Sequence, residues 1–425
     1  MTVTEVQRAI EAVWRIESAR LIAALARRWR DVGLAEELAQ DALVSALEEW
    51  PRRGIPDNPG AWLMTTAKNR AIDLLRQRRL RDGKRALIGH ALEMEQEPDG
   101  ASPEAQADDE IGDDLLRLVF TACHPVLSTE ARTALTLRLI GGLTTAEIAR
   151  AFLVPEPTIA QRIVRAKRTL SERRVPFEMP RREELATRLG SVLEVIYLIF
   201  NEGYSATVGQ DWMRPGLCEE ALRIGRILAE LTPQASEVHG LVALMELQAS
   251  RTRARLGPGG EPVLLMQQNR AQWDRLLIHR GLVALARAEA AADVRGPYLL
   301  QAAIAACHAR ALQATDTDWV NITALYDELA RVTASPIVEL NRAVAVAMAY
   351  GPAAGLVLAD ELAAGGRLDA YHLLPSVRAD LLARLGRYEE ARRQFEHAAQ
   401  LTHNERERAL LARRAAACAR QAAAT

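Results

Sequence analysis

The residues with the clearest chemical purpose are polar side chains on a helix near residue 160. Thr144 and Glu147 have the spacing of a capping box, which predicts a short helix that begins there and stops near Phe152. A second helix is expected to begin near Pro157, because the fixed φ of proline suits a first turn. A short helix, a tight turn and a second helix predict a helix-turn-helix whose second helix enters the major groove of DNA.

The second helix of this motif has one apolar and one polar face. The apolar stripe, expected to be buried, consists of Ile159, Ile163, Ala166 and Leu170. Arg and Gln side chains pair bidentately with guanine and adenine edges, and further basic residues neutralise phosphates. The polar set is Thr158, Gln161, Arg162 and Arg165, with Lys167 and Arg168 beside it. The alternative is a solvated basic face on an ordinary helical hairpin.

A basic helix lies further toward the N-terminus. From Lys68 to Arg85 the chain has eight basic and two acidic residues. Asn69 and Trp62 lie beside this charge, so the surface offers hydrogen bonding and stacking, which suit unstacked single-stranded bases. The alternatives are arginines that complement the helix dipole, and for Trp62 packing in the core, which we favour for that residue.

An acidic helix precedes the basic one. Residues 31–49 contain six acidic residues and no basic residue. Apolar residues recur there at helical spacing, at Leu34, Leu38, Ala42, Leu43, Ala46 and Leu47. Because an acidic surface does not favour DNA, this helix is expected to meet a basic protein partner.

Composition predicts an all-α chain of several domains. Its 425 residues are 49% apolar, 26% charged and only 4% aromatic, and helix formers dominate. Residues 93–114 contain ten acidic and no basic residues, which predicts a flexible acidic linker over 93–112. The linker would separate a helical domain over 5–92 from the helix-turn-helix domain over 113–175.

The rest of the chain, 185–425, is predicted to be a tetratricopeptide-like helical array. Gly351 and Gly386 are 35 residues apart, close to the usual repeat length of about 34, and the residues around 382–401 fit the second half of such a repeat. Helix pairs of this kind stack, and their concave face often binds another protein. A purely structural array is the alternative. At Asn201–Glu202–Gly203, a helix end capped by glycine is favoured over a ligand pocket.

Several classes of protein are disfavoured. The four cysteines are widely spaced, so neither a disulfide framework nor a zinc site is expected, and Cys123 next to His124 is interpreted as core packing. No Gly-rich phosphate loop or Ser/His/Asp order supports an enzyme, and we expect no cofactor and no metal. No apolar run reaches membrane-spanning length and the N-terminus is charged, which predicts a cytoplasmic protein with no membrane contact.

Two segments resemble a known family. The string AEELAQDALVSALEEW, followed by PGAWLMTTAKNRAIDLLRQRR, resembles region 2 of the extracytoplasmic-function (ECF) sigma factors of bacterial RNA polymerase, within the sigma-70 family. LSTEARTALTLRLIGGLTTAEIARAFLVPEPTIAQRIVRAKRTL resembles their region 4. With its long helical extension, the chain resembles the group that carries a tetratricopeptide-like C-terminal domain. Pro157 stands where such factors often have glycine.

The resemblance implies core RNA polymerase and promoter DNA as partners, with catalysis left to the polymerase. It places Glu36, Glu37, Gln40 and Asp41 on the polymerase clamp helices. It places Lys68, Asn69, Arg70, Arg76, Arg78 and Arg79 on the opened −10 element. The −35 element would be bound as duplex by Thr158, Gln161, Arg162, Arg165, Lys167 and Arg168.

The C-terminal domain would control this activity, through a protein partner or through an intramolecular contact with the two N-terminal domains. The main alternative for the whole chain is a helix-turn-helix repressor with a helical ligand-sensing domain. That hypothesis leaves the paired acidic and basic helices of 34–85 unexplained.

Overall fold

The computed structural model describes residues 3–82, 104–152, 154–205 and 213–423, and it confirms the all-α prediction. Across these ranges the extended pairing amounts to one bridge, between Leu256 and Pro262. The chain forms two compact units, which we call unit 1 (Met1–Val195) and unit 2 (Ile196–Thr425). No helix in the described part of the chain has the length and apolar character needed to cross a bilayer.

Unit 1 begins with three helices, α1 (Val3–Trp29), α2 (Val32–Arg53) and α3 (Pro59–Asp82). The side chain of Asp31 accepts a hydrogen bond from the Leu34 amide at 3.0 Å and so caps α2. The buried face of α2 is rotated from the predicted one, because fully buried alanines let α1 approach closely, and Leu47 is 44% exposed. The buried alanines are Ala35, Ala39, Ala42 and Ala46.

The next helix, α4 (Glu104–Ala122), begins inside the predicted acidic linker. Residues 93–103 of that linker lie outside the described residues, but the prediction of a flexible segment is wrong for 104–112. From Leu115 onward α4 buries an apolar face. Because helix growth is cooperative once a buried segment has formed, the helix extends back into the acidic residues.

The helix-turn-helix is confirmed by α5 (Thr129–Leu139), α6 (Thr145–Phe152) and α7 (Glu156–Glu172). The capping box is formed, since the Glu147 carboxylate accepts from the Thr144 amide at 2.7 Å and the Glu147 amide donates to the Thr144 hydroxyl at 3.2 Å. The predicted stripe of α7 is buried, and it packs against α5 and α6.

Helix α8 (Arg182–Tyr204) contains the division between the two units. Its first half belongs to unit 1, since Arg188 donates to the Phe120 carbonyl at 2.9 Å and Glu194 pairs with Arg132 at 3.3 Å. The division therefore lies later than the predicted start of the helical array at residue 185. The proline-containing segment at 173–184 lies within unit 1 and does not end it.

Unit 2 continues with ten helices among the described residues, most of them packed on their neighbours in sequence. They are α9 (Pro215–Leu231), α10 (Ser236–Ala249), α11 (Arg275–Ala290), α12 (Pro297–Arg310), α13 (Trp319–Thr333), α14 (Pro336–Tyr350), α15 (Pro352–Ala364), α16 (Leu373–Arg384), α17 (Tyr388–Leu401) and α18 (Glu405–Ala422). Gly351 and Gly386 have φ of +103° and +77° between paired helices, a backbone region that favours glycine. This matches the turn positions of the predicted repeat.

The four cysteines are free and buried. Burial raises the pKa of Cys123 to about 11 and that of Cys218 to about 12, so these thiols stay protonated near neutral pH. The sulfur of Cys123 lies 3.3 Å from the Thr136 hydroxyl oxygen, while the His124 ring accepts from the Val126 amide. Core packing of Cys123 is confirmed.

We predict that Gly355→Ala destabilises unit 2. A Cβ at Gly355 of α15 would lie 2.4 Å from the Cβ of Ala347 and 2.5 Å from the Ala343 carbonyl oxygen on α14, so the helices must move apart. We expect a loss of about 1–3 kcal/mol in the free energy of unfolding. Gly216→Ala in α9 is the matched control, because nothing lies within 4 Å of its added Cβ. Denaturant titration of both variants measures the difference, and equal midpoints would contradict the packing.

Candidate nucleic-acid and protein interfaces

The helix α7 presents a polar face to solvent. Gln161, Arg165 and Arg168 are exposed, and the Arg165 guanidinium lies 3.3 Å from the Gln161 amide oxygen. Arg168 donates to Glu172 at 2.6 Å. Thr158 and Arg162 are half-buried at the edge of this face. The face can therefore offer amide and guanidinium groups to base edges and phosphates without any change in the fold of α7.

Lys167 lies on a different side of α7 from the other predicted DNA-binding residues. Its amine lies 2.7 Å from the Glu36 carboxylate of α2. The structure thus divides the predicted −35 set. Gln161, Arg165 and Arg168 lie in solvent, whereas Lys167 contacts the acidic helix.

The helix α3 presents a second polar surface. Lys68, Asn69 and Arg70 are consecutive and exposed. Arg76 is exposed as well, with a guanidinium nitrogen 3.8 Å from the Asp73 carboxylate. The side chains of the other two predicted residues, Arg78 and Arg79, lie outside the described side chains.

The aromatic residue beside α3's basic surface is a packing residue. Trp62 is half-buried and meets Trp50 edge to face, with ring centroids 5.4 Å apart. The preferred interpretation of Trp62 is confirmed. The surface of α3 therefore offers hydrogen bonds and positive charge. The indole of Trp62 packs α3 against α2.

The predicted polymerase-binding residues on the acidic helix α2 differ in their exposure to solvent. Glu37 is exposed, and Asp41 and Gln40 are half-buried. Glu36 is only 4% exposed. Glu37 and Asp41 are four residues apart, so they share a face that a basic partner can reach.

Glu36 forms the centre of an ion-pair cluster, which we define as Glu36, Gln40, Arg138 and Lys167. Arg138 Nε lies 2.6 Å from Glu36 Oε1, and Lys167 Nζ lies 2.7 Å from Glu36 Oε2. Arg138 also donates to the Leu143 carbonyl at 3.1 Å, and Gln40 Nε2 donates to Glu36 Oε1 at 3.3 Å. Both oxygens of the buried carboxylate thus accept hydrogen bonds, which such burial requires.

Arg138 is a residue of the cluster that the sequence does not predict. It lies at the end of an apolar helix, α5, and its carboxylate partner is 102 residues away in the chain. A basic residue on the mostly buried helix α5 is the one local signal for a buried acidic partner.

A second charged contact joins α4 to α1. Asp114 is 3% exposed, with the Arg117 guanidinium at 2.6 Å and the Arg27 guanidinium at 3.3 Å. Leu115 and Val119 of α4 are buried near it. The helix after the acidic stretch is therefore fastened to the first helix of the chain.

In unit 2 the segment Asn201–Glu202–Gly203 is part of the last turn of α8. The predicted helix end is confirmed, but the glycine cap is wrong. A Cβ on Gly203 would lie 2.7 Å from the Cys218 amide nitrogen, so glycine permits the close approach of α9. Glu202 is paired with Arg214.

Buried arginines elsewhere in unit 2 are structural. Arg270 is 6% exposed and donates to the carbonyls of His308 and Ala311 at 2.7 and 2.8 Å, and to the Thr317 hydroxyl at 2.9 Å. It also lies over the Trp273 ring. These bonds fasten the turns before α11 to the end of α12.

Among the described residues, no three His, Cys, Asp or Glu side chains are grouped to hold a metal ion.

Three segments of the chain match models of known protein families. Residues 16–81 match the family model Sigma-70 region 2, and residues 117–170 match Sigma-70, region 4. Residues 188–289 match a family of unknown function, DUF6596. No solved structure matches the chain.

Curated relatives fall into two kinds. An uncharacterized protein of Rhizobium meliloti (strain 1021) is 42% identical over 397 residues, which cover 91% of this chain and 90% of the relative. The ECF RNA polymerase sigma factor SigL of Mycobacterium tuberculosis (strain H37Rv) is 30% identical over 141 residues, 33% of this chain and 74% of SigL. SigK of Mycobacterium ulcerans (strain Agy99), also an ECF RNA polymerase sigma factor, is 31% identical over 155 residues, 36% of this chain and 78% of SigK.

Proposed function

This chain belongs to the family of ECF RNA polymerase sigma factors, and from that membership we propose how its residues divide the work of transcription initiation. As a sigma factor it binds core RNA polymerase and promoter DNA. The observation that carries the proposal is the ordered pair of sigma regions, each with an exposed polar helix face, on α3 and on α7. The alternative hypothesis, a helix-turn-helix repressor, does not explain the presence of Sigma-70 region 2.

The exposed face of α7 would bind the −35 element as duplex. Gln161 and Arg165 are one turn apart in solvent, where they can reach base edges in the major groove. Thr158 and Arg162 border them, and Arg168 would contact the phosphate backbone. The buried stripe fixes the orientation of α7 about its own axis. This orientation determines which side chains would contact bases and which would contact the backbone.

The exposed face of α3 would bind the opened −10 element. Lys68, Asn69 and Arg70 present two charges and an amide within one turn, which suits the phosphates and unpaired base edges of a single strand. Arg76 extends the same basic character toward Arg78 and Arg79. Because Trp62 packs on Trp50, affinity would come from charge and hydrogen bonds at these residues.

The acidic face of α2 would bind the polymerase clamp helices. Glu37 and Asp41 are available in the described conformation, whereas Glu36 and Gln40 belong to the ion-pair cluster. Complementary charge would speed the encounter with a basic partner and fix its register.

Unit 2 would control this activity. It is a helical array fused to the sigma regions, and such arrays offer extended surfaces to other proteins. Because it is tethered, even a weak contact with the polymerase, with an activator or with unit 1 would be populated. We propose that the chain has no catalytic chemistry and no cofactor of its own, and that the polymerase supplies both.

Reversing charge on α2 tests the clamp surface. We expect Glu37→Lys with Asp41→Lys to weaken binding to core polymerase while the fold is kept, because Glu37 is exposed and Asp41 is only half-buried, and charges that reach solvent contribute little to stability. Co-purification with core polymerase at several salt concentrations measures the effect. The matched control is Glu183→Lys with Glu184→Lys at the exposed start of α8, which changes net charge equally. Equal retention of both double variants would exclude the clamp assignment.

Two substitutions on α7 separate base contacts from phosphate contacts. Gln161→Ala should relax preference at one −35 position, with about 1–3 kcal/mol of discrimination lost. Arg168→Ala should weaken all duplexes alike and reduce the salt slope by about 1. Binding titrations against a set of −35 duplexes measure both effects. A uniform loss for Gln161→Ala would place the base-contacting face elsewhere.

Truncation tests the role of unit 2. The truncated chain should end at residue 195, where unit 1 ends, because the first half of α8 supplies Arg188 and Glu194 to unit 1. We expect residues 1–195 to lose transcription from a target promoter by roughly tenfold or more, since tethering raises effective concentration by large factors. Transcription by the truncated and full chains is compared at equal soluble protein, and −35 duplex binding checks the fold. Equal output would show that unit 2 does not regulate.

A further inference from the structure

We propose that unit 2 contains a binding site for a small compound that carries a phosphate group. The site lies where the segment between α10 and α11 meets the end of α12. It is formed by what we call the basic cluster, which consists of Arg251, Arg255, Arg270, Trp273 and His308. The inference concerns unit 2 alone and goes beyond the sigma factor function.

The segment that supplies most of the cluster is long, irregular and firmly held. Residues 250–274, all of them described, connect α10 to α11 through short 3₁₀ turns. The Asp274 amide donates to the Ser250 carbonyl at 2.8 Å and closes the segment at its base, and a bridge pairs Leu256 with Pro262. Long irregular connections inside a compact domain are uncommon and often carry function. This segment presents three arginines to one place.

The positive charge of the cluster is not neutralised. Arg270 is 6% exposed, and its hydrogen-bond acceptors, two backbone carbonyls and the Thr317 hydroxyl, are all neutral. Arg251 donates to the Gln248 amide oxygen, which is neutral as well. Among the described residues neither guanidinium forms an ion pair with a carboxylate. Because buried charges are normally paired, this arrangement favours an anion.

The guanidiniums also repel one another. Burial lowers the pKa of Arg255 and of Arg270, and the charge of Arg251 lowers both further. Asp316, which is exposed, acts in the opposite sense on the pKa of Arg270. Burial, together with Arg251 and Arg270, lowers the pKa of His308 to about 3, so its ring is neutral near neutral pH. A bound anion would relieve this repulsion.

Several hydrogen-bond donors of the cluster have no acceptor. The Nε atoms of Arg251 and Arg270 and the indole nitrogen of Trp273 are buried and unpartnered, as is Nδ1 of His308. The guanidinium carbons of Arg251 and Arg270 lie 5.7 and 5.0 Å from the centre of the Trp273 ring, so these donors are close together. Since buried donors are normally paired, the cluster can take a ligand with several acceptor oxygens.

A phosphate group matches this set of donors better than a carboxylate does. A phosphate monoester has a charge of about −1.5 to −2 near neutral pH and three strong acceptor oxygens. A carboxylate has one charge and two oxygens. Arginine pairs with phosphate in a bidentate manner. Because the donors are buried, a small compound can reach them where a phosphorylated side chain of another protein cannot.

A surface hollow leads to the cluster. It has a volume of about 700 Å³, and the indole of Trp273 forms part of its lining. The exposed Arg253 and Arg275 lie at this hollow, where their charge would attract an anion. Arg251 is half-buried, so rotation of its side chain would open the buried donors to a ligand.

Titration of the full-length chain with two phosphate probes tests the proposal. Inorganic phosphate and glycerol 3-phosphate are compared by calorimetry at constant ionic strength, with acetate as the carboxylate control. We expect saturable binding of a phosphate probe that acetate does not reproduce, and a higher midpoint of thermal unfolding in its presence. Tighter binding of glycerol 3-phosphate would identify a phosphorylated compound as the ligand, and tighter binding of inorganic phosphate would identify free phosphate. Absence of saturable binding for both probes would overturn the proposal.

Removal of one charge places the binding in the cluster. We expect Arg251→Gln to weaken phosphate binding by roughly tenfold or more, because it removes a charge-assisted hydrogen bond. Arg287→Gln is the matched control, since it removes the same charge from an exposed position on α11. The basic faces of α3 and α7 are intact in both variants, so phosphate binding there would not distinguish them. Equal affinity of the two variants would overturn the proposal.

Removal of one hydrogen-bond donor gives a second test that keeps every charge. Trp273→Phe deletes the buried indole N–H and keeps an aromatic ring beside the guanidiniums. Trp50→Phe deletes another buried, unpartnered indole N–H, in unit 1. We expect phosphate binding to weaken severalfold in Trp273→Phe and to be kept in Trp50→Phe, with thermal unfolding in phosphate-free buffer as the check on the fold. Unchanged affinity of Trp273→Phe would contradict the site. Polymerase plays no part in these tests, so their outcome is separate from that of the sigma factor function.

Discussion

The carboxylate of Glu36, bound by a guanidinium and an amine from distant parts of the chain, is the interaction on which the arrangement of unit 1 depends. A charge that is 4% exposed is tolerated only when it is paired, so α2 is stable in this position as long as α5 and α7 present Arg138 and Lys167 to it. The two sigma regions are therefore placed against each other by charge at this point, in addition to the apolar packing of α4 on α1.

Local structure determines which residues meet at this point. The cap at Asp31 sets where α2 begins, and the buried stripe of Ile159, Ile163, Ala166 and Leu170 sets the rotation of α7. Since an α-helix has 3.6 residues per turn, Lys167 lies about 200° around the axis from Arg165. One helix thus offers one face to solvent and another face to α2.

Much of unit 1 could be predicted from short-range patterns. The capping box of Thr144 and Glu147, the stripe of α7 and the order of the acidic and basic helices are local features that tertiary packing did not override. The partners of Glu36 could not be predicted, because they lie 102 and 131 residues away, and nothing near Glu36 distinguishes it from the exposed Glu37. The helix in the acidic segment could not be predicted either, because it depends on the burial of residues that follow the segment. The need for glycine at 203 depends on how closely α9 approaches, which the local sequence does not show.

The most direct test of the central claim is the reactivity of the Lys167 amine. The chain has three lysines, Lys68, Lys84 and Lys167, so acylation at each can be followed separately by mass spectrometry. Lys68 is exposed and serves as the reference in the free chain. We expect Lys167 to be acylated much more slowly than Lys68 in the free chain, because its amine is paired with the Glu36 carboxylate. Acylation of Lys167 as rapid as that of Lys68 would contradict this arrangement of unit 1.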